Sequence, residues 1–259
     1  MKKILSISFL TFTVFLFSFT GVQSVQADDP REKMGIVSLW TLDKDTVQVG
    51  KIEDVFGDNT GTIIGKPEQI DGYRGDAFKF DGVVDLIRMD KDIIFPSLTV
   101  EAIIKPTLGT RNPIYDKYNY GIQLLDNNTV GIWIRANTPV QANHWPSAYV
   151  PYPTDGEWHH IVGVVENKKE VRIYIDGELI KKTPAPDPIS VAYGAALKPT
   201  IAYTQHLGGI WYEGAIDEVA VFEVALGDAD VRKLYTNALS TLQPTAKLAI
   251  TWGTLKIQD

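Results

Sequence analysis

The stretch Ser97-Leu-Thr-Val-Glu-Ala-Ile-Ile-Lys-Pro106 decides the fold class, because apolar residues recur in it at every second position. The apolar set is Leu98, Val100, Ala102 and Ile104, and the intervening set is Thr99, Glu101, Ile103 and Lys105. The same alternation returns in Val171-Arg-Ile-Tyr-Ile175. Both segments are therefore predicted to be half-buried β-strands.

Turn-forming residues separate the apolar runs. Asp126-Asn-Asn128 lies between Ile122-Gln-Leu-Leu125 and Val130-Gly-Ile-Trp-Ile134, and Asp176-Gly177 follows the strand that ends at Ile175. Antiparallel hairpins are expected at both places. Shorter strands are predicted around residues 36–42, 61–65, 77–80 and 83–88. The sequence therefore indicates an all-β sandwich.

One segment has the period of a helix. Asp228 can cap a run in which apolar residues recur at helical spacing, namely Val231, Leu234, Tyr235 and Ala238. We predict one short C-terminal helix, followed by a tail over residues 240–259 that is either a last strand or partly ordered.

Composition excludes several classes of function. The 259 residues carry a formal charge of −7, which disfavours a nucleic-acid binder with a basic surface. The chain has no Cys, so disulfides, thiolate catalysis and Cys-ligated zinc are absent. His159 and His160 are adjacent on a predicted strand, point to opposite faces and cannot share one metal ion.

Residues 1–27 are typical of a secretory signal peptide. Lys2 and Lys3 precede an apolar stretch over residues 4–19. The small residues Val25 and Ala27 lie at positions −3 and −1 of the expected cleavage point. We expect cleavage after Ala27, a mature charge of −9 and a secreted or periplasmic protein with no membrane span. A retained membrane anchor is the less favoured alternative.

Five segments, in their order along the chain, resemble the LamG-like domain (laminin-G-like, concanavalin A-like) of bacterial secreted proteins. They are Ser38-Leu-Trp-Thr-Leu-Asp43, Gly75-Asp-Ala-Phe-Lys-Phe-Asp-Gly82, residues 97–106, Asp155-Gly-Glu-Trp-His-His-Ile-Val162 and Gly214-Ala-Ile-Asp-Glu-Val-Ala-Val-Phe222. The resemblance implies a jelly-roll sandwich of two antiparallel sheets over residues 28–239. Trp40, Phe80, Trp158 and Val219 lie in these segments and are expected to be buried.

The resemblance also implies a structural calcium ion, with ligands at Asp217, Asp81 and, less directly, Asp85. Hard oxygen donors suit Ca²⁺, and an ion that binds only the folded chain would stabilise an exported sandwich without disulfides. The alternative is that Asp81-Gly82 is only a turn and Asp217 only a strand-end residue.

Aromatic residues point to a carbohydrate site. Trp133 and Arg135 lie two apart, on the strand face opposite Val130, Ile132 and Ile134, and the next loop carries His144, Trp145 and Tyr149. A flat ring beside fixed polar donors matches a sugar, which has an apolar face ringed by hydroxyls. The alternative is that these rings merely cover the sheet. The acidic net charge favours a neutral glycan or a protein surface as the ligand.

The predicted function is a secreted, non-catalytic binding or adhesion module that recognises a glycan or a cell-surface protein. The alternative is a glycan-cleaving enzyme on the same fold. A glucanase would need paired carboxylates on one strand, which we do not find. A polysaccharide lyase would need clustered Arg, Gln, His and Tyr side chains. The residues that could form such a cluster are Gln123, Arg135, His160 and Tyr174. A purely structural envelope component is a third option.

Overall fold

The computed structural model describes residues 29–136, 144–190, 197–205 and 208–240. The first half of the chain contains β1 (Ile36–Trp40), β2 (Val47–Gln48), β3 (Lys51–Ile52), β4 (Gly61–Ile64), β5 (Glu68–Asp71), β6 (Asp76–Asp81), β7 (Leu86–Met89), β8 (Leu98–Pro106), β9 (Asn112–Asp116) and β10 (Tyr120–Leu124). The second half contains β11 (Thr129–Ile134), β12 (Ser147–Pro151), β13 (His159–Glu166), β14 (Glu170–Ile175), β15 (Glu178–Pro184), β16 (Thr200–Ile201), β17 (Tyr203–Thr204), β18 (Ile210–Trp211), β19 (Glu213–Phe222) and the helix α1 (Asp228–Ser240).

Two large antiparallel sheets form the sandwich. The eight-stranded sheet has the order β15-β14-β13-β8-β19-β6-β5, and β1 pairs with β19 beside this path. The nine-stranded sheet has the order β12-β11-β10-β9-β16-β7-β4-β3-β2, and β17 pairs with β18 in a separate two-stranded hairpin. The predicted all-β sandwich of two antiparallel sheets with one α-helix is confirmed.

The main core lies between the two sheets, where the alternating apolar residues of facing strands meet. Ile122 of β10 and Ile132 of β11 are opposite one another in the register and are both fully buried in this core. Gly121 and Trp133 are the next pair along, and therefore face away from the other sheet. This alternation defines the outer face of the nine-stranded sheet.

A second apolar cluster covers the outer face of the eight-stranded sheet, which the sequence did not predict. Val162 and Val164 of β13 and Phe222 of β19 pack there against Val231 and Leu234 of α1. Seven of the nine residues of β8 are consequently buried, including Thr99 and Glu101. The expectation of half-buried strands was wrong for β8 and for β14, where residues 171–175 are all buried, because helix α1 and the N-terminal segment cover the second face of the sheet.

A buried ion-pair network lies at the edge of this second cluster. Arg31 follows Pro30 in a 3-10 helix, and its guanidinium donates to both carboxylate oxygens of Glu101 at 3.0 and 2.9 Å. It also pairs with Glu218 at 3.0 Å, while His160 Nε2 lies 3.0 Å from Glu101. A bulge in β19 at Glu218, where φ is 51°, turns that carboxylate towards Arg31.

Three of the four expected core residues are buried, namely Trp40, Phe80 and Val219. The fourth, Trp158, is only half-buried because it precedes β13 in the loop. Asp228 is the first residue of α1, and its carboxylate accepts a hydrogen bond from the Tyr174 hydroxyl at 2.7 Å. Helix α1 extends one residue past the expected boundary at 239, and the signal segment 1–27 and the tail from 241 lie outside the described residues.

None of the helices in the described part of the chain has the length and apolar character that spanning a lipid bilayer requires.

Candidate binding cleft

A cleft of about 410 Å³ opens on the outer face of the nine-stranded sheet, at the end formed by β10, β11 and β12. Its floor and walls are formed by Arg111, Gln123, Trp133, Trp145, Ser147, Tyr149, Thr204 and Ile210. Five of these residues come from or flank three neighbouring strands of one sheet. Thr204 and Ile210 come from the β17–β18 hairpin, which forms the opposite wall.

Two glycines make room for the aromatic rings on this face. Gly121 is opposite Trp133 in the register, and a Cβ atom on it would lie 3.2 Å from the indole. Gly131 is opposite Tyr149, and a Cβ atom on it would lie 2.6 Å from that ring. Each ring therefore lies over the bare backbone of its neighbour, which flattens the floor of the cleft.

The two tryptophans form a wall of rings tilted against each other. The ring centroids of Trp133 and Trp145 are 5.3 Å apart with planes inclined by 56°, and the guanidinium carbon of Arg135 lies 5.3 Å from the Trp145 ring centre. Trp133 is buried, whereas Trp145 is 40% exposed. The structure thus supports Trp145 with a cation–π contact on one side and leaves ring surface open to a ligand.

Polar groups stand beside the aromatic surface. Gln123 Nε2 donates to the Tyr149 hydroxyl, and burial raises the pKa of that phenol, so it stays protonated at neutral pH. Ser147 lies opposite Trp133 on β12. These groups give the cleft neutral donors and acceptors next to a flat apolar surface, the combination that suits a pyranose or furanose ring.

Of the five predicted ligand-binding residues, three line the cleft: Trp133, Trp145 and Tyr149. Arg135 supports Trp145 from the side. His144 lies beyond them, where its Nδ1 is 3.6 Å from Asp187 and its backbone bridges to Ala136.

Sequence reasoning did not assign five of the lining residues to this site, namely Arg111, Gln123, Ser147, Thr204 and Ile210. The short Tyr203–Thr204 and Ile210–Trp211 strands carry no alternation long enough to show which face they meet.

The residues drawn together for a lyase are not brought together. Gln123 faces outward from the nine-stranded sheet, whereas His160 and Tyr174 belong to the eight-stranded sheet. His160 contacts Glu101 and Tyr174 contacts Asp228, both on the side covered by α1. As expected, His159 points elsewhere and contacts Asp176 and Asp155.

The predicted calcium ligands fall into two separate places. Asp81 of β6 pairs with Glu213 of β19, and Glu213 lies four residues before Asp217 on that strand. Asp81 Oδ1 accepts three backbone N–H groups, from Val83, Val84 and Asp85. Asp85 in turn accepts the N–H of Lys66 at 2.7 Å. Asp81 Oδ1 thus holds the turn, and both carboxylate oxygens of Asp85 accept backbone N–H groups, from Asp81 and Lys66.

Asp217 has a different environment that fits a cation better. Its Oδ2 accepts the N–H of Arg74 at 2.8 Å, and its buried Oδ1 has no hydrogen-bond partner in the described parts of the chain. Burial, and then the charge of Glu218, raise the pKa of Asp217 well above its usual value. Asp43 faces the same turn, since its Oδ1 accepts the N–H of Asp76. Asp217, Asp43 and nearby backbone carbonyls are the groups that would hold calcium.

No group of three or more His, Asp or Glu side chains arranged around a common metal position occurs in segments 29–136, 144–190, 197–205 and 208–240. Calcium binding therefore stays a prediction.

Residues 81–232 match the concanavalin A-like lectin/glucanases superfamily, in its Laminin_G_3 family. The chain belongs to this superfamily. Members of such a fold share the two-sheet sandwich and differ in what their faces and loops bind, so the fold leaves the ligand open.

Solved structures with the same fold include single domains of larger proteins. Domain 4 of AbnA, a GH43 extracellular arabinanase from Geobacillus stearothermophilus solved with arabinotriose, has a TM-score of 0.62 and 21% identity, covering 78% of this chain and 98% of that domain. The binding domain of Paraclostridial Mosquitocidal Protein 1 has a TM-score of 0.60 and 16% identity. The match covers 80% of this chain and 52% of that one. The binding domain of Botulinum neurotoxin DC, solved with SialylT, has a TM-score of 0.60 and 13% identity. The match covers 79% of this chain and 52% of that one.

By sequence, the chain is 26% identical over 104 residues to 3-oxoacyl-(acyl-carrier-protein) synthase 1 of Haemophilus influenzae, covering 40% of this chain and 26% of that enzyme. The chain thus spans about half the length of the toxin binding domains and about a quarter of the synthase. The structural likenesses show the fold alone.

Proposed function

We propose that the chain is a secreted, non-catalytic carbohydrate-binding module whose ligand lies in the cleft on the outer face of the nine-stranded sheet. The observation that carries the proposal is the Trp133–Trp145 wall. It combines a half-exposed indole, a supporting guanidinium and neutral hydrogen-bonding groups in one cavity. A sugar ring stacks on such a wall through its C–H face while its hydroxyls reach the polar groups.

The superfamily relatives support a binding role. Domain 4 of the arabinanase, of which the chain covers 98%, was solved with a trisaccharide. Among the described residues, the cleft lining contains Arg111 as its one charged residue and no carboxylate, so it lacks the acid and nucleophile pair of a retaining or inverting glycosidase. Binding without turnover is the function that this lining favours.

A glycan array of the exported chain, followed by calorimetric titration of the best ligand, tests the proposal. Trp145→Ala should weaken binding about fivefold to thirtyfold, because a stacked ring contributes on the order of 1–2 kcal/mol. Its 40% exposure means that the substitution should leave the fold intact. Trp158→Ala is the matched control, since Trp158 is also partly exposed but lies outside the cleft lining. It should bind like the parent.

Two results would reject the proposal. Release of reducing ends or unsaturated products from the bound polysaccharide would make the chain an enzyme. Equal affinity of the parent and the Trp145 variant would place the glycan elsewhere.

Export is the second part of the proposal, and it rests on residues 1–27. Two lysines, an apolar stretch and small residues before the cleavage point are the features that signal peptidase substrates share. N-terminal sequencing of the exported protein should begin at Asp28. Recovery of a chain that retains residues 4–19 would show a membrane anchor instead.

A further inference from the structure

Arg111 occupies the junction of two adjoining cavities. It lines the cleft of about 410 Å³ and also a neighbouring groove of about 330 Å³, and Ile210 is shared in the same way. Beyond Arg111, the groove continues past Thr110, Gly209 and Trp211 to the β6–β7 turn at Gly82. A ligand that fills both cavities would therefore pass directly over the guanidinium.

The guanidinium of Arg111 has no acidic partner among the described residues. Within residues 29–136, 144–190, 197–205 and 208–240, no ion pair or side-chain hydrogen bond involves Arg111, although Glu213 lines the same outer groove. Three other partly or fully buried arginines have acidic partners: Arg31 pairs with Glu101, Arg74 with Glu218 and Arg172 with Glu166. An unpaired, half-buried cation forfeits part of its hydration without a compensating partner.

The charge of the cleft is opposite to that of the whole chain. The protein has a net charge of −7, yet Arg111 is the one charged residue in the described lining of the main cleft, and Arg135 adds a second guanidinium behind Trp145. Asp116, on the same sheet face, is opposite Gly121 in the register and is buried. A cationic cleft favours an anionic ligand.

We propose that this cleft prefers glycans that carry an anionic group, a carboxylate or a sulfate, and that Arg111 binds this group. The inference rests on the carbohydrate-binding function proposed above and names its ligand class. A guanidinium pairs with the two oxygens of a carboxylate or sulfate through parallel N–H donors. The tryptophan wall holds a neighbouring sugar ring on one side of Arg111, and the second groove receives the chain on the other. The acidic net charge, which favours a neutral ligand, is outweighed by the local charge of the lining.

Matched polymers that differ only in charge provide the test. The probes are polygalacturonate against its fully methyl-esterified form, and dextran sulfate against dextran, titrated into the exported chain at low and at physiological salt. The first pair isolates a carboxylate and the second a sulfate. We expect at least one charged polymer to bind tenfold or more tighter than its uncharged partner, with an affinity that falls as salt rises.

Variants of Arg111 test whether this residue causes the preference for the charged polymer. Arg111→Gln should remove the preference for the charged polymer, and Arg111→Lys should retain part of it because the charge remains. Arg232→Gln, an exposed arginine on α1 away from the cleft, is the matched control and should bind like the parent. Unchanged melting temperatures of all three variants would show that they fold.

Each contrary result has a separate meaning. Equal affinity for the charged and uncharged members of both pairs, together with glycan binding that depends on Trp145, overturns the role of Arg111 and leaves the proposed function standing. A charge preference that survives in Arg111→Gln also overturns it. Failure of the chain to bind any glycan overturns the inference and the proposed function together.

Discussion

The indole of Trp133 lies over Gly121 of the neighbouring strand, 3.2 Å from the position that a Cβ atom would occupy there. The same Cβ atom would lie 2.7 Å from the backbone oxygen of Tyr115. Gly121→Ala should therefore push the indole away from the sheet and disturb its contact with Trp145. We expect a loss of about 1–3 kcal/mol in the free energy of unfolding, typical of overpacking, and weaker glycan binding.

Urea unfolding and calorimetric titration of Gly121→Ala check both effects. Gly227→Ala is the control, because Gly227 has a negative φ and no described heavy atom lies within 4 Å of the position that its Cβ atom would take. That variant should leave glycan binding unchanged, and because Gly227 directly precedes α1 its own effect on stability is that of an N-cap change, not of overpacking. A Gly121 variant that binds and unfolds like the parent would show that the ring is not held against the strand.

The Arg31 network predicts strong dependence of stability on the N-terminal segment. Removal of the guanidinium in Arg31→Met leaves Glu101 and Glu218 buried without their shared cation. Breaking a buried pair in this way typically costs about 3–5 kcal/mol. Denaturant unfolding at neutral pH should show a loss of that size, whereas Arg232→Met on the exposed side of α1 should be neutral.

A double variant separates charge from packing. Burial opposes ionisation of Glu101, but Arg31 and His160 outweigh it and lower its pKa to about 2. In Arg31→Met/Glu101→Gln the unpaired charge at residue 101 is gone, so the double variant should be more stable than Arg31→Met alone. A double variant whose losses simply add would contradict the ion pair.

The strands could be predicted from the sequence, but the environment of their second faces could not. Alternation in residues 98–105 fixes which residues share a face, and the structure places Val100 and Ala102 in the main core as expected. The same pattern does not predict the environment of the Glu101 side chain, because a polar residue can face either solvent or a partner distant in sequence. Its partner Arg31 lies 70 residues away, and only the fold brings the two together.

The site shows the same limit. Trp133 was predicted from strand alternation, and Tyr149 from the aromatic-rich segment that follows that strand. The structure places Tyr149 on β12 rather than in a loop, opposite Gly131 of β11. Arg111 and Ile210 are 99 positions apart and carry no periodic pattern, so their meeting in the cleft depends on how the β17–β18 hairpin packs against β9. Whether Asp81 and Asp217 lie together is equally beyond local pattern, since it depends on the register of β19 with β6, which pairs Glu213 with Asp81.

Asp116 predicts a pH dependence of stability. Burial raises the pKa of Asp116 from 3.8 to about 7, against hydrogen bonds from Thr204 and the N–H of Tyr118. In the unfolded chain the carboxyl ionises near 3.8, so between about pH 4 and 7 ionisation favours the unfolded state. This contribution makes stability fall as pH rises through that window and level off above it. Asp116→Asn cannot ionise and should lack the fall.

Urea unfolding at pH 5 and pH 8 measures the effect. The gain of Asp116→Asn over the parent should be larger at pH 8, by roughly 3 kcal/mol at most, because about 1.36 kcal/mol per pH unit accumulates only between pH 5 and the folded-state pKa of about 7. Asp126→Asn, in the exposed β10–β11 turn, should show no such difference between the two pH values. An equal gain at both values would mean that Asp116 is ionised in the folded chain throughout.

Asp217 predicts the response to calcium. Its buried Oδ1 lacks a hydrogen-bond partner in the described segments, and the raised pKa of the carboxyl means that its charge destabilises the metal-free fold at neutral pH. A bound Ca²⁺ would neutralise that charge and add oxygen coordination, and an ion that binds only the folded state raises its stability. We therefore expect calcium to raise the melting temperature of the parent and a chelator to lower it.

Asp217→Asn distinguishes this site from a surface effect of the ion. The amide removes the buried charge, so the variant should be at least as stable as the chelated parent and should not respond to calcium. Asp81→Asn is the informative comparison, because Asp81 Oδ1 accepts the backbone N–H groups of the turn that runs to Asp85. It should lose stability through the turn and keep the calcium response. If the melting curve of the parent is the same in calcium and in chelator, the calcium prediction is wrong. If the response is lost in Asp81→Asn but kept in Asp217→Asn, the ion binds at the β6–β7 turn instead.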